Sequence, residues 1–188
     1  MQLQHVNVKI FAAKLQIDLE RLIEIFHRWV AGQTMPEMLI DIADYRHVPN
    51  GPSVLVVGHE ADYALDQTGG RYGLLYNRKD AVAGSNHDRL QQSLQSVAAA
   101  CQQLESEFDE ESLKFSRQEF EIVINDRALA PNTEETYSSA KPELDAFLSQ
   151  TLGHGQFQIE RQSNDPRSRF GVVVKSSQPF DLAAIMKD

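Results

Sequence analysis

Leu90, Leu94, Val97, Cys101, Leu104 and Phe108 follow one another at alternating intervals of four and three residues. That spacing returns each of them to one stripe of an α-helix, and a helix with such a stripe needs an apolar surface to lie on. The seam also has coiled-coil spacing. Another protein, a second copy of the chain or the chain's own sheet could therefore cover it. Ser85, with Asp88 three positions on, precedes the seam as a capping pair.

A second stripe, Leu19, Leu22, Ile23, Phe26, Trp29 and Val30, begins just after Asp18. Asp18 reads as its N-cap, because a carboxylate there can accept from the free N–H groups of the first turn. Gly32 is the expected C′ residue.

Elsewhere the period drops to two. Val6-Asn7-Val8-Lys9-Ile10 alternates apolar and polar residues as a strand does. Residues 38–43 and 53–58 read as strands parted by the turn Pro49-Asn50-Gly51-Pro52. The unbroken run Val54-Leu55-Val56-Val57 predicts a strand covered on both faces, hence central in its sheet. Gly69-Gly70 supplies a hairpin turn before a third strand at 71–77. Further on come a strand at 120–124, a helix capped by Asn132 with Glu135, a strand pair at 157–161 and 170–175, and a short helix from Asp181.

Hairpins and helices are thus mixed, which predicts an α+β fold: a mixed or largely antiparallel sheet with two or three helices packed on it. The order also allows two βαββ-type halves. Apolar periodicity runs the whole length without a credible linker, so one domain spanning residues 1–188 is expected. The order resembles that of the glyoxalase-type double βαβββ fold, with His5-Val6-Asn7 opening a strand before a helix. The second half has no histidine at the corresponding strand, so that family's metal set does not carry over.

Composition narrows the function classes. A formal net charge of −9 repels a phosphate backbone over most of the surface, which disfavours nucleic acid as a partner. Cys101 is the only cysteine, which excludes an intramolecular disulfide and thiol-rich zinc sites. Its place on the helical seam makes it an inert core thiol. No apolar run approaches the roughly 20 residues that cross a bilayer. Met1-Gln2-Leu3-Gln4-His5 lacks the features of a secretory signal. A cytoplasmic protein without membrane association is expected.

Groups capable of chemistry are densest between Asp41 and Arg89. Imidazole and carboxylate suit zinc, iron or manganese, so His47, His59, Glu60 and Asp62 are the candidate ligands of a divalent metal. The same four are the candidate catalytic groups for acid–base or metal-assisted hydrolysis. Asp44, Tyr45, Arg46, Tyr63, Asn77, Arg78 and Lys79 are candidate ligand-binding residues around them. The plain structural alternative is an ion-pair network in which Glu60 or Asp62 meets Arg46 or Arg78. Asn125-Asp126-Arg127 reads as a turn leading to a helix cap. His5, His27, His87 and His154 are scattered and receive no role.

No nucleophile elbow, phosphate loop or dinucleotide fingerprint occurs. The leading expectation is therefore a non-catalytic binding or protein-interaction module, taking a small molecule, a protein partner or a second copy of itself. A small enzyme built on the 41–63 cluster is the alternative.

Overall fold

Val6, Val8 and Ile10 point to one side of the first strand, and Asn7, Lys9 and Phe11 to the other. This division organises the molecule. The computed structural model describes residues 1–153 and 155–187. In chain order the elements are β1 (Val6–Leu15), α1 (Leu19–Gly32), β2 (Leu39–Asp44), β3 (Pro52–Gly58), β4 (Ala61–Asp66), β5 (Gly73–Arg78), α2 (Asn86–Glu105), β6 (Leu113–Ile124), α3 (Glu134–Leu152), β7 (Phe157–Arg161), β8 (Phe170–Ser176) and α4 (Leu182–Ile185). The strands form one eight-stranded sheet in the order β2-β3-β4-β5-β1-β6-β8-β7. Every neighbouring pair is antiparallel.

The α+β architecture expected from the sequence is present, with four helices among the described residues. The element order is βαββββ, then a helix, then βαββ, rather than twice βαβββ. β1 and β6 open the two parts and pair with each other at the middle of the sheet. No described helix is long and apolar enough to cross a membrane.

The helices cover one face. Val8 on β1 is level with Tyr76, Tyr63 and Val56 on one side and with Ile122 and Val172 on the other. These residues join Leu22, Ile25, Phe26 and Trp29 of α1 and the α2 seam in one buried cluster. Each large side chain so buried contributes roughly 1.5–3 kcal/mol relative to exposure, so this face dominates the stability. Leu90, Leu94, Val97, Cys101 and Leu104 are all spent on it, at 1% exposure or less. The seam that looked available to a partner is taken by the chain's own sheet. Burial also pushes the Cys101 thiol well up, as expected of an inert core cysteine.

Local chemistry explains the helix boundaries. Asp18 accepts from the Glu20 amide, and Ser85 with Asp88 forms a reciprocal capping box. Gly32 is not the C′ residue: the helix includes it, and Gln33 adopts the left-handed conformation that ends α1. Gln33 tolerates that backbone because its amide is held from both ends, Nε2 donating to the Val30 and Leu39 carbonyls and Oε1 accepting from Leu39 N–H. Thr133, rather than Asn132, caps α3. Asn132 is buried instead and donates to the carbonyls of Ser163 and Asp165.

Two strand readings need correction. β3 lies second from an edge, and its Leu55 and Val57 are only half buried. Its apolar run reflects a partly apolar second face rather than a central position. β4 was not foreseen as a strand, yet all six of its residues are buried. Its Asp62 and Asp66 resemble loop residues because the sheet face they occupy is polar.

Candidate ligand site on the open sheet face

Residues directly opposed across antiparallel strands project to the same side. Opposite the helices, Asp62, Asn77, Asn7, Val123 and Gly171 therefore form one row across β4, β5, β1, β6 and β8. The adjacent row is Leu55, Ala64, Leu75, Lys9, Glu121 and Val173. Phe11, Ala64 and Val123 on this side are buried but stand outside the main core cluster. No described helix covers this face. A hollow of about 290 Å³ opens on it, with Asn7, Asp62, Asn77 and Glu121 among its lining residues and Leu55 and Leu75 as apolar wall.

Its polar groups are fixed by their neighbours. Lys9 is fully buried, and its Nζ donates to Asp66 Oδ2 at 2.7 Å and to the Thr68 carbonyl at 3.1 Å. The stem of Lys9 has room because residue 73 is glycine: a Cβ there would come within 2.9 Å of Lys9 Cγ. Asp62 takes the Lys79 ammonium at 2.7 Å and the Asn77 amide at 3.2 Å. Gln162 lies over Gly171, where a Cβ would stand 2.6 Å from its Oε1, and its Nε2 donates to Glu121 Oε2 at 2.8 Å.

One group is left over. Asn7 is 2% exposed, and its Oδ1 is buried without a hydrogen-bond partner among the described residues. A buried acceptor without a donor costs roughly 1–3 kcal/mol, so its retention at the centre of the sheet calls for a reason.

Burial raises the Glu121 carboxyl above its ordinary 4.5, against the pull of Lys9 and Arg169. The folded protein therefore holds this proton more tightly than the unfolded chain does. The group's contribution to stability is complete below pH 4.5 and is lost as pH rises through the folded value. Glu121→Gln should accordingly melt above wild type at neutral pH, with the difference vanishing near pH 4. Thermal unfolding across pH 4–8 checks this; a gap independent of pH would contradict it.

The hollow runs on into a wider trough of about 630 Å³ bordered by Arg127, Arg167 and Arg169. Thr68, Asn125, Gln162 and Arg169 line both. Arg167 is clasped by Asp165, at 2.8 Å from Nη2 and 3.1 Å from Nε. Arg127 donates only to the Arg167 carbonyl at 3.1 Å, and Arg169 to Asn125 Oδ1 at 3.3 Å. Asp126 accepts from the Ala128 and Leu129 amides, the turn expected there.

The 41–63 cluster does not converge. Asp44 binds Arg46 through both carboxylate oxygens, Arg46 also reaches Glu20 at 2.7 Å, and the guanidinium holds the Asp44 carboxyl down at about 2. Tyr45 and His47 stack loosely in the same exposed turn. His59 is 62% exposed, with Nδ1 3.6 Å from Glu60. Glu60 accepts from the Met38 amide at 3.2 Å; its own amide and that of Met38 hold its carboxyl below the ordinary range. Arg78 donates to the Asp80 carbonyl. Tyr63 lies on the opposite face of the sheet, in the core. Of the residues nominated from sequence, Asp62, Asn77 and Lys79 come together at the hollow.

Among the described residues, no three His, Cys, Asp or Glu side chains are placed to hold a metal ion. The expected set fails because His59 points to solvent, Glu60 folds back on Met38 and Asp62 enters the hollow. His87 bonds Gln150 on the helix side, and His154 lies outside the described residues.

Sequence reasoning missed Asn7, Lys9, Asp66, Glu121, Gln162 and Arg169. The one signal was the alternation of β1, which put Asn7 and Lys9 on a common face. Such a face is normally solvated, and only strands pairing on both sides of β1 bury it. No protein-family model matches the chain, and comparison with curated proteins finds no match.

Proposed function

We propose that this protein is a non-catalytic binding module that holds a small polar molecule against the open face of its sheet. The observation that carries the reading is Asn7 Oδ1, a buried acceptor lacking a donor, in the wall of the hollow. A ligand hydroxyl or amine would supply that donor. The hollow and trough together have the size usual for small-molecule clefts, roughly 300–1,000 Å³. The charged side chains there are held by ion pairs and amide contacts, while Asn7 Oδ1, with almost no accessible surface, would have to turn toward the hollow to meet the ligand.

The test exploits a conflict between stability and binding. Asn7→Leu replaces the unpaired polar group by an apolar side chain of the same branched shape, so the variant should be more stable than wild type by roughly 1–3 kcal/mol. It should also lose every stabilisation that a broad metabolite screen detects in wild type. Denaturant titration and thermal-shift screening read the two effects. A variant that is destabilised, or that keeps the wild-type ligand response, would overturn the proposal.

A further inference from the structure

The geometry points to a small acid as the ligand. Its carboxylate or phosphate sits between the Arg127 and Arg169 guanidiniums, and its hydroxyl or amino protons reach Asn7 Oδ1 and the Glu121 carboxyl. This rests on the reading of the hollow as a ligand site and adds the chemistry of what fills it.

Unpaired groups stand at two ends of a continuous depression. Arg127 at one end and Arg169, which lines both trough and hollow, spend single hydrogen bonds on a carbonyl and an amide oxygen. Neither has a salt-bridge partner among the described residues, whereas Arg167 beside them is neutralised by Asp165. Guanidiniums present planar forks that match carboxylate and phosphate oxygens. Ser163 and Ser168 in the same trough add hydroxyl donors. At the other end the wall offers acceptors: Asn7 Oδ1, Asp62 and Glu121. Asp62 already holds Lys79 and Asn77, and Glu121 holds Gln162 on Oε2, which leaves Asn7 Oδ1 and Glu121 Oε1 for the ligand.

The two ends select against partial ligands. A bare anion large enough to fill both would press negative charge on Glu121, while a neutral polyol would leave both arginines unused. A molecule with an anionic end and a proton-donating end satisfies both. The formal charge of the chain is −9, so most of the surface repels such an acid and the arginine trough is the local exception.

Isothermal titration of the full chain with glucose 6-phosphate, L-glutamate, glucose and inorganic phosphate tests the inference. At least one of the two bifunctional acids should bind at least tenfold more tightly than glucose or inorganic phosphate. Which of them binds distinguishes a phosphate end from a carboxylate end. R127Q/R169Q should weaken that acid at least tenfold, and R28Q, on α1 and remote from the trough, should leave it unchanged. These arginines are exposed, and cooperative melting of each variant confirms the fold. Failure of both acids to bind, or full affinity in R127Q/R169Q, overturns the inference. If glucose binds as tightly as the acids and depends on Asn7, the acid class falls while the binding module stands. If a broad metabolite screen of wild type also finds nothing, both fall.

Discussion

Lys9→Met should lower stability by roughly 3–5 kcal/mol, because it strands the Asp66 carboxylate in the sheet. Asp66 is 3% exposed, and its Oδ2 faces Lys9 Nζ at 2.7 Å. Methionine fills most of the lysine stem's volume, so little of the cost comes from packing. For a chain of this length such a loss corresponds to a fall in Tm of roughly 6–20 °C. The cause can be separated from its rivals by a second change. Asp66→Asn removes the stranded charge but keeps an oxygen for the Thr68 amide, accepted at 3.1 Å, and its NH2 can donate to the Thr68 hydroxyl that the other oxygen accepts at 2.8 Å. K9M/D66N should therefore recover most of the stability lost in K9M. If the double variant is no better than the single one, the lysine acts through packing beside Gly73 and not through its charge. The pair also ties β1 to the end of β4 and the turn that follows, on the face that carries the hollow.

Glu37→Ala should cost a comparable amount for a different reason. Glu37 lies between α1 and β2, on the helix side of the sheet, and is 6% exposed. Its carboxylate accepts from the Tyr63 hydroxyl at 2.6 Å and the Tyr76 hydroxyl at 2.8 Å. Both tyrosines are fully buried and meet edge to face at 5.2 Å. Burial, with the Glu37 charge beside it, pushes the Tyr63 hydroxyl far up, and burial takes that of Tyr76 up to about 12.

Removing the carboxylate leaves the Tyr63 and Tyr76 hydroxyls both without an acceptor, since Gln92 Nε2 only donates to Tyr76, at 2.7 Å. At roughly 1–3 kcal/mol for each of the two orphaned hydroxyls, the variant should lose about 2–6 kcal/mol, and the cavity adds to this loss. Glu37→Gln keeps an acceptor and the volume, so it should lose less than half as much. Urea titrations give both values, and an unchanged slope confirms that the same surface unfolds. Equal losses in E37A and E37Q would show that the negative charge, rather than the acceptor, is what the tyrosines require.

The helices were legible because their information is local. The α2 seam as far as Leu104, the Ser85–Asp88 box and the Asp18 cap depend on residues within a few turns of one another and stand as read. Phe108, by contrast, falls in the turn beyond α2 and is only partly buried. The α+β class followed from the alternation of two periods. The end of α1 was less legible, since Gln33 adopts its left-handed backbone through hydrogen bonds to Val30 and to Leu39 across the loop.

The candidate site had the opposite character. The histidines and carboxylates of residues 41–63 are close in sequence, yet turns send them to solvent, to a backbone amide or through the sheet. Asn7, Asp62, Asn77 and Glu121 are far apart in sequence and meet because β4, β5, β1 and β6 lie side by side. The sequence by itself determined which residues share a face of each strand, since side-chain direction alternates with period two. Only the tertiary structure decided which strands are neighbours and which face the helices cover. Strand order depends on pairing between residues as distant as Asn7 and Asn77 or Val123, so no local pattern encodes it. That pairing turns the polar side of β1 from a solvated surface into the wall of a buried hollow.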